Sequence, residues 1–162
     1  MAIRLITPKS QIQDYIIKRT QAIENVIIRR LLRVGEEVVN HARNLPSPSA
    51  DGMQQPIPPH QPNYIDWTGN LRSSIGYVLA VDGQIITTSS FSPINGGDEG
   101  ANDGKAFAES LVQKFPSGIA LIVVAGMNYA KYVTARGYDV IDSAELQAQQ
   151  LIPQMLSQLK LE

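Results

Sequence analysis

The fold class of this chain follows from residues 77–89, which read YVLAVDGQIITTS. Apolar side chains alternate along the first half of this segment, which is the period of a strand, and Asp82-Gly83 favours a tight hairpin turn. Residues 85–89 then predict the returning strand. A continuous β-branched run, IALIVVAG (119–126), predicts a further strand that is buried on both faces.

Two amphipathic helices flank these strands in the sequence. From Pro8 to Arg43 the apolar residues recur at steps of three, four and seven, which traces one stripe along a helix of roughly 50 Å. The second helix begins at Asp142, where Glu145 completes a capping box. Pro153 lies within its apolar pattern and should kink or divide it. This order of elements predicts a single α+β domain, with the helices against one side of a small, mostly antiparallel sheet.

Two segments are predicted to be long loops. Residues 44–65 contain six prolines and no apolar periodicity, and residues 92–104 are rich in Gly, Asp and Asn. A short helix should follow from Lys105 to Phe115, with Phe107, Leu111 and Phe115 on one face. We expect both loops to be mobile in the free protein and to become ordered on assembly, when a partner surface offsets the lost chain entropy.

Length and composition are those of one globular domain. The chain has 162 residues, of which 43% are hydrophobic, enough for a sizeable core. It contains no cysteine, which excludes disulfides and cysteine metal sites. No apolar run approaches the roughly 20 residues of a membrane span, and the N-terminal residues lack the apolar core of a signal peptide. We therefore expect a soluble intracellular protein.

Charge is distributed unevenly, although the net charge is only −1. Residues 1–45 hold eight Lys/Arg and four Asp/Glu, a balance of +4, whereas residues 46–162 hold six and eleven, a balance of −5. One basic end and one acidic end favour head-to-tail association. Because salt screens this attraction, we expect a monomer or a weak small oligomer in solution.

The segment GGDEGANDGKAF (96–107) raises the question of a nucleotide site. A phosphate-binding loop reads G-x-x-x-x-G-K-[ST] and follows a buried strand. Here only three residues separate Gly100 from Gly104, and Ala106 stands where the magnesium-binding hydroxyl is needed. No buried strand precedes the segment, and its acidic side chains would repel a polyphosphate. The sequence therefore predicts a surface loop and no nucleotide site.

Three acidic residues in this segment, Asp98, Glu99 and Asp103, allow other interpretations. A calcium loop needs oxygen ligands at alternate positions, and from Asp98 the second position falls on Gly100, so the pattern fails. A small hydrolase that uses these acids would need clustered carboxylates with perturbed pKa values in a deep pocket. We treat the three acids as a candidate interface loop.

The remaining candidates give no catalytic, metal or cofactor site. His41 and His60 lack metal-ligand spacing, and no serine occupies a G-x-S-x-G elbow. The arginines at 29, 30 and 33 could contact the phosphates of a nucleic acid, but pairing with the glutamates that follow is the simpler interpretation. Four aromatic residues could bind a partner, but core or interface packing is the commoner use of such side chains: Trp67, Tyr129, Tyr132 and Tyr138. We expect a structural or assembly protein and not an enzyme.

Two segments resemble those of a known family, the tail-completion or head–tail joining proteins of long-tailed bacteriophages and prophages. DWTGNLRSSIGYVL (66–79) resembles the family's T-G-x-L-x-x-S-I, and GMNYAKYVTARGYDVI (126–141) resembles its x-x-Y-A-x-Y-V-E-x-G, with Thr134 in place of the glutamate. Below we call these the first and the second motif. The matching residues are Thr68, Gly69, Leu71, Ser74 and Ile75 in the first motif and Tyr129, Ala130, Tyr132, Val133 and Gly137 in the second.

The motif residues have structural interpretations. Gly69 is suited to a positive φ where the chain turns into a strand, and Gly137 to the end of a short helix. Tyr129, Tyr132 and Val133 are spaced to share one helical face that can dock on the preceding strand.

The resemblance implies a non-enzymatic virion assembly protein, with no cofactor, at the junction of phage head and tail. Its subunits would form a ring that contacts the head connector or portal and the tail-tube proteins. It would occur in the host cytoplasm during assembly and then in the virion neck, without membrane or nucleic-acid partners. Alternatives are another minor tail or capsid protein, a small enzyme that uses the acidic segment 96–104, or a nucleic-acid-binding module that uses the arginine cluster.

Overall fold

The computed structural model describes residues 8–45 and 64–158. The strands are β1 (Ile75–Val81), β2 (Gln84–Thr88) and β3 (Ile119–Ala125). The helices are α1 (Lys9–Arg43), α2 (Asn70–Ser73), α3 (Asp98–Leu111), α4 (Ala130–Ala135) and α5 (Asp142–Ser157), and a 3-10 turn, Val112–Lys114, follows α3. The predicted α+β class is confirmed.

The three strands form one antiparallel sheet in the order β2-β1-β3. Asp82 and Gly83 join β1 to β2, and both have positive φ, 49° and 75°. Positive φ at both central residues is what a type I′ hairpin turn requires, so the turn predicted from this dipeptide is formed. β3 pairs with β1 along its whole length. The strand predicted from the β-branched run is therefore formed, but at the edge of the sheet; Ile122 and Val124 are buried, and its other residues are only partly buried, so the predicted burial is incomplete.

Helices cover both faces of this sheet. On one face, Ile75 and Tyr77 of β1 pack with α5 and the C-terminal half of α1. On the other face, Val78 and Ala80 pack with Ala108 and its neighbours on α3. The helices thus lie on two sides of the sheet and not on one, because α3 packs on the face opposite to α1 and α5.

α1 is an unbroken helix of 35 residues. Gly35 is buried within it, and a Cβ there would lie 3.1 Å from the Tyr77 ring and from Leu121 Cδ1. The C-terminal half of α1 is packed, with Val38 at 2% exposure and Ala42 at 0%. By contrast, residues 9–22 are exposed throughout. Only the second half of this helix therefore contributes to the core that the structure describes.

α5 lies along α1 in the opposite direction. Near its start, Ser143 Oγ is 3.0 Å from His41 Nε2, and at its end the Arg30 guanidinium donates hydrogen bonds to the carbonyls of Met155 (2.7 Å) and Gln158 (3.1 Å). The helix continues through Pro153 and is not divided there.

The predicted capping box at the start of α5 is absent. The residue before the helix is Ile141, which has no side-chain oxygen, and no side-chain capping bond forms there. Instead, the Ser143 amide donates to Asp139 Oδ1 at 3.1 Å, and Glu145 accepts from Gln149 one turn later. The side chain that accepts a hydrogen bond from the first turn of α5 is therefore Asp139, three residues before the predicted Asp142.

α3 differs most from its prediction. It begins at Asp98, so half of the predicted loop 92–104 is helical. Its buried face consists of Gly100, Ala101, Gly104 and Ala108, whereas Phe107 and Phe115 are each 45% exposed. Small residues line the contact because α3 approaches its neighbours closely.

The proline-rich segment predicted as a loop, 44–65, lies mostly outside the described residues. Its described ends, 44–45 and 64–65, contain no helix or strand.

Candidate functional site

The first motif forms the turn into the central strand. Gly69 has φ 73°, the left-handed conformation that its position requires, and α2 begins at the next residue. Leu71 is 2% exposed, and Ser74 and Ile75 are completely buried. Thr68 alone among the matching residues is exposed. The motif is thus chiefly a framework for α2 and β1.

Two adjacent serines of this motif hold three segments together. Ser73 Oγ donates to Gly69 O at 2.6 Å and accepts from the Ile94 amide at 2.8 Å. Ser74 Oγ donates to Leu71 O at 2.7 Å and accepts from the Met127 amide at 3.3 Å. Because both hydroxyls are buried and already serve as donor and acceptor, they have a structural role and are not placed as nucleophiles.

The second motif forms α4 and the turns at its two ends. Ala130 is buried, and Tyr129 and Val133 are partly buried, as the predicted helical face requires. Gly137 follows the helix with φ 86°, and its amide donates to Thr134 O at 2.9 Å, so its predicted role at the helix end is confirmed. Tyr132, however, is 61% exposed. Its predicted docking on the strand is wrong.

The two motifs meet at Tyr129. Its hydroxyl lies beside the Thr68 side chain and in the field of Asp66 and Glu99. The Met127 amide, two residues earlier, donates to Ser74 Oγ of the first motif at 3.3 Å. Burial raises the pKa of Tyr129 above its usual value; the two carboxylates add to this, and the Thr68 side chain opposes it. Tyr129 is therefore neutral at physiological pH and serves to join the motifs.

The acidic start of α3 is fixed beside the first motif. Asn70 Nδ2 donates to Glu99 Oε2 at 3.0 Å, and the Gly100 amide donates to Asn70 Oδ1 at 3.2 Å. Asp98, Glu99 and Asp103, the candidate interface acids, are all exposed on α3. They belong to the first half of a helix and not to a loop, and the first two lie close to the motif junction.

Two large aromatic side chains remain exposed at this junction. Trp67, directly before the first motif, is 74% exposed, and Tyr132, one helical turn after Tyr129, is 61% exposed. Lys131 Nζ lies 5.0 Å from the centre of the Tyr132 ring. We call the region formed by Asp66, Trp67, Glu99, Tyr129 and Tyr132 the aromatic surface. Tryptophan and tyrosine exposed in this way are typical of residues that anchor protein–protein contacts.

Three of the four glycines of segment 96–107 are used for packing, whereas a Cβ on Gly96 would meet nothing within 4 Å. A Cβ on Gly100 would lie 1.9 Å from Asn70 O, and one on Gly104 would lie 2.4 Å from Ser74 O. A Cβ on Gly126, after β3, would lie 2.4 Å from the Cα of Gly104. These backbones touch directly, so the glycines let α3 lie against α2 and the ends of β1 and β3.

Arg72 joins the two described ends of the proline-rich segment. Its guanidinium donates to the carbonyls of Arg43 (3.2 Å) and Leu45 (2.5 Å), and its centre lies 5.5 Å from the Tyr64 ring. Its backbone amide donates to Asp66 Oδ2 at 2.8 Å. Arg72 therefore fixes the aromatic surface near the C-terminal end of α1. No periodic pattern marks such a residue, and only its place inside the first motif could have drawn attention to it.

An open cleft of about 450 Å³ lies between the end of α1 and the start of α5. Glu37, His41, Asn44 and Gln147 are among its lining residues, and it contains none of the acids of segment 96–104. Burial, followed by the nearby Asp139 and Glu145, raises the pKa of Asp142, but this carboxyl does not line the cleft. Glu37 is the one carboxylate among the described residues that line the cleft. The cleft therefore lacks the pair of carboxylates that the hydrolase alternative needs.

The described residues contain neither a metal-binding cluster nor a membrane-spanning helix. No group of three or more His, Asp or Glu side chains within 8–45 and 64–158 is placed to hold a metal ion. In the same part of the chain, no helix is both long and apolar enough to cross a membrane.

Comparisons of the chain with protein-family models, with curated proteins and with solved structures find no match.

Proposed function

We propose that this protein is a non-enzymatic assembly protein of the head–tail junction in a long-tailed bacteriophage or prophage. In this role it is a subunit of a ring between the head connector or portal and the tail tube. It works without a cofactor, and it passes from the host cytoplasm into the virion neck.

One observation carries this proposal: the two motifs that resemble the tail-completion family meet in space and together display exposed aromatic side chains. The Met127 amide of the second motif donates to Ser74 Oγ of the first, and Tyr129 lies beside Thr68. Trp67, one residue before Thr68, and Tyr132, three residues after Tyr129, are exposed to solvent. A junction built this way fixes the shape of a surface and offers anchors for a partner protein. It places no nucleophile or base beside a pocket.

The test is deletion of the gene from an inducible prophage. We expect filled heads and separate tails that do not join, visible by electron microscopy of the lysate, because a neck protein is needed for construction and not for metabolism. A plasmid copy of the wild-type gene should restore joined virions. Normal joined virions from the deletion strain would contradict the proposal.

A matched pair of variants separates shape from chemistry. Replacing Asp98, Glu99 and Asp103 together by asparagine should preserve most of the infectivity, because exposed charges contribute little to folding. Leu71→Ala should abolish most of it by unfolding the first motif. If the folded triple variant were as defective as the deletion, the acids would have a specific role, and the hydrolase alternative would be supported instead.

A further inference from the structure

The exposed half of α1 carries more apolar surface than its place in the fold requires. Ile12 is 37% exposed, Tyr15 68%, Ile16 56% and Ile17 54%. These four side chains lie within two turns of helix, and the described part of the chain does not cover them. A contiguous apolar surface rimmed by polar residues usually marks a contact with another molecule.

The same half-helix is basic. Lys9, Lys18 and Arg19 are opposed by Asp14 alone, so residues 9–22 carry a net charge of +2. A partner for this region therefore needs both an apolar anchor and a negative rim.

The aromatic surface has those two properties. Trp67 and Tyr132 supply exposed aromatic rings. Asp66 and Glu99 contribute negative charge beside them, Asp98 adjoins Glu99 in the first turn of α3, and Lys131 is the cation over the Tyr132 ring. The balance of these four charged groups is −2, opposite in sign to that of the exposed half of α1.

The two surfaces lie at opposite ends of α1. Arg72 ties the aromatic surface to the carbonyls of Arg43 and Leu45, at the C-terminal end of the helix. About 26 to 31 residues of continuous helix separate Arg43 from the isoleucines, which corresponds to roughly 40–45 Å along the helix. The two surfaces of one molecule are therefore too far apart to contact each other, and a contact between them requires two molecules.

We propose that the exposed half of α1 in one copy of this chain docks on the aromatic surface of a second copy. The contact is head-to-tail: each copy offers one surface of each kind, and repetition of the same contact produces either a closed ring or an open chain. Closure into a ring rests on the proposed function; the contact itself does not. The interface places isoleucines and Tyr15 against Trp67 and Tyr132, with Lys18 and Arg19 facing the acids.

Two variants test the contact because each removes one of its sides. Ile12→Ser with Ile16→Ser removes the apolar side chains from α1, and Trp67→Ala with Tyr132→Ala removes the anchors from the aromatic surface. All four side chains are largely exposed, so the fold should be retained, which circular dichroism will check. By analytical ultracentrifugation at low salt, the wild type should associate with increasing concentration, and each variant should associate at least about tenfold more weakly.

Mixing the two variants gives the decisive result. Each keeps the side that the other lacks, so a one-to-one mixture should form dimers and nothing larger, whereas the wild type continues to longer species. Ile85→Ser with Ile86→Ser, at exposed positions of β2, is the control and should associate like the wild type.

Three outcomes would overturn the proposal. The aromatic-surface variant could still associate like the wild type, which would indicate that α1 pairs with α1. Both variants could associate unchanged, or the wild type could stay monomeric at every concentration, as when α1 binds another protein or another part of its own chain. The deletion experiment is independent: if heads and tails fail to join but the mixture gives no dimer, the neck function stands and this contact is wrong.

Discussion

Single residues of the two motifs have different roles even though they belong to one pattern. Leu71 is 2% exposed, whereas Tyr132 is 61% exposed. We predict that Leu71→Ala lowers the free energy of unfolding by about 2–5 kcal/mol, because it leaves a cavity in the core. Tyr132→Ala should change it by less than about 1 kcal/mol. Urea denaturation of the two variants measures both values, and a large loss in Tyr132→Ala would mean that this ring is packed.

A buried tyrosine makes stability depend on pH at the alkaline end. Tyr77 is 3% exposed and donates a hydrogen bond to Glu36 Oε1 at 2.9 Å. Burial, and then this hydrogen bond and the charge of Glu36, raise the pKa of Tyr77 to about 12 from its ordinary value of 10.0. Below pH 10 the Tyr77 hydroxyl keeps its proton in both the folded and the unfolded chain, and its full contribution to stability is present. Between pH 10 and 12 only the unfolded chain loses it, so the stability falls.

We therefore predict that Tyr77→Phe makes the loss of stability between pH 10 and 12 less steep, because one linked proton is removed. The slope should not vanish, since burial also raises the pKa of Tyr64 to about 12. The measurement is the free energy of unfolding from urea titrations at several pH values. Leu71→Ala, which removes no ionisable group, is the control: it should lower the stability at every pH and keep the wild-type slope. An unchanged slope in Tyr77→Phe would contradict the assignment.

For single residues, the sequence predicted the backbone conformation better than the burial and contacts of the side chain. Positive φ at Gly69 and Gly137 was predictable because glycine at a turn or helix end is a local signal. The exposure of Tyr132 was not, because helical spacing gives the face that a side chain shares and not the element that covers this face. The roles of Arg72 and Trp67 depend on segments distant in the sequence, for which no local signal exists.

At the scale of elements, α3 depends on the absence of side chains. We predict that Gly104→Ala lowers the free energy of unfolding by about 1–3 kcal/mol, because its Cβ would lie 2.4 Å from Ser74 O. In an unconstrained helix the same change would add about 1 kcal/mol of stability. Asn102→Ala, at an exposed position on the same helix, is the matched control and should be neutral or slightly stabilising. Thermal denaturation of the pair checks this, and a stabilised Gly104→Ala would refute the close approach.

The elements differ in how far their sequences predict them. The β1–β2 hairpin is predictable because its turn and its alternation are local. The start of α3 is missed because glycine is a poor helix former in isolation, and here the backbone contacts with Asn70 and Ser74 stabilise a helix that its propensity disfavours. The start of α5 is also predicted incorrectly. The spacing of Asp142 and Glu145 fits a capping box, but this spacing does not determine which carboxylate reaches the helix start, and Asp139 accepts the hydrogen bond there.

At the scale of the whole molecule, Arg72 connects parts that are far apart in sequence. We predict that Arg72→Met lowers the free energy of unfolding by about 2–3 kcal/mol, because Arg43 O and Leu45 O lose their donors. Arg72→Lys should be intermediate, since a single ammonium cannot reproduce the planar fork. Arg136→Met, at an exposed position, is the control. Chemical denaturation gives the values, and wild-type stability in Arg72→Met would show that the fork is dispensable.

The antiparallel pairing of α1 with α5 has a consequence for the synthesis of this protein on the ribosome. The hydrogen bond from Arg30 to the Met155 carbonyl spans 125 residues, and the contact between His41 and Ser143 spans 102. α1 therefore leaves the exit tunnel more than 100 residues before α5, and the side of α1 that α5 covers stays exposed until α5 has been translated. At about 5–20 residues per second, that interval lasts from several seconds to about half a minute. During this time α1 is a natural substrate for the chaperones that bind nascent chains.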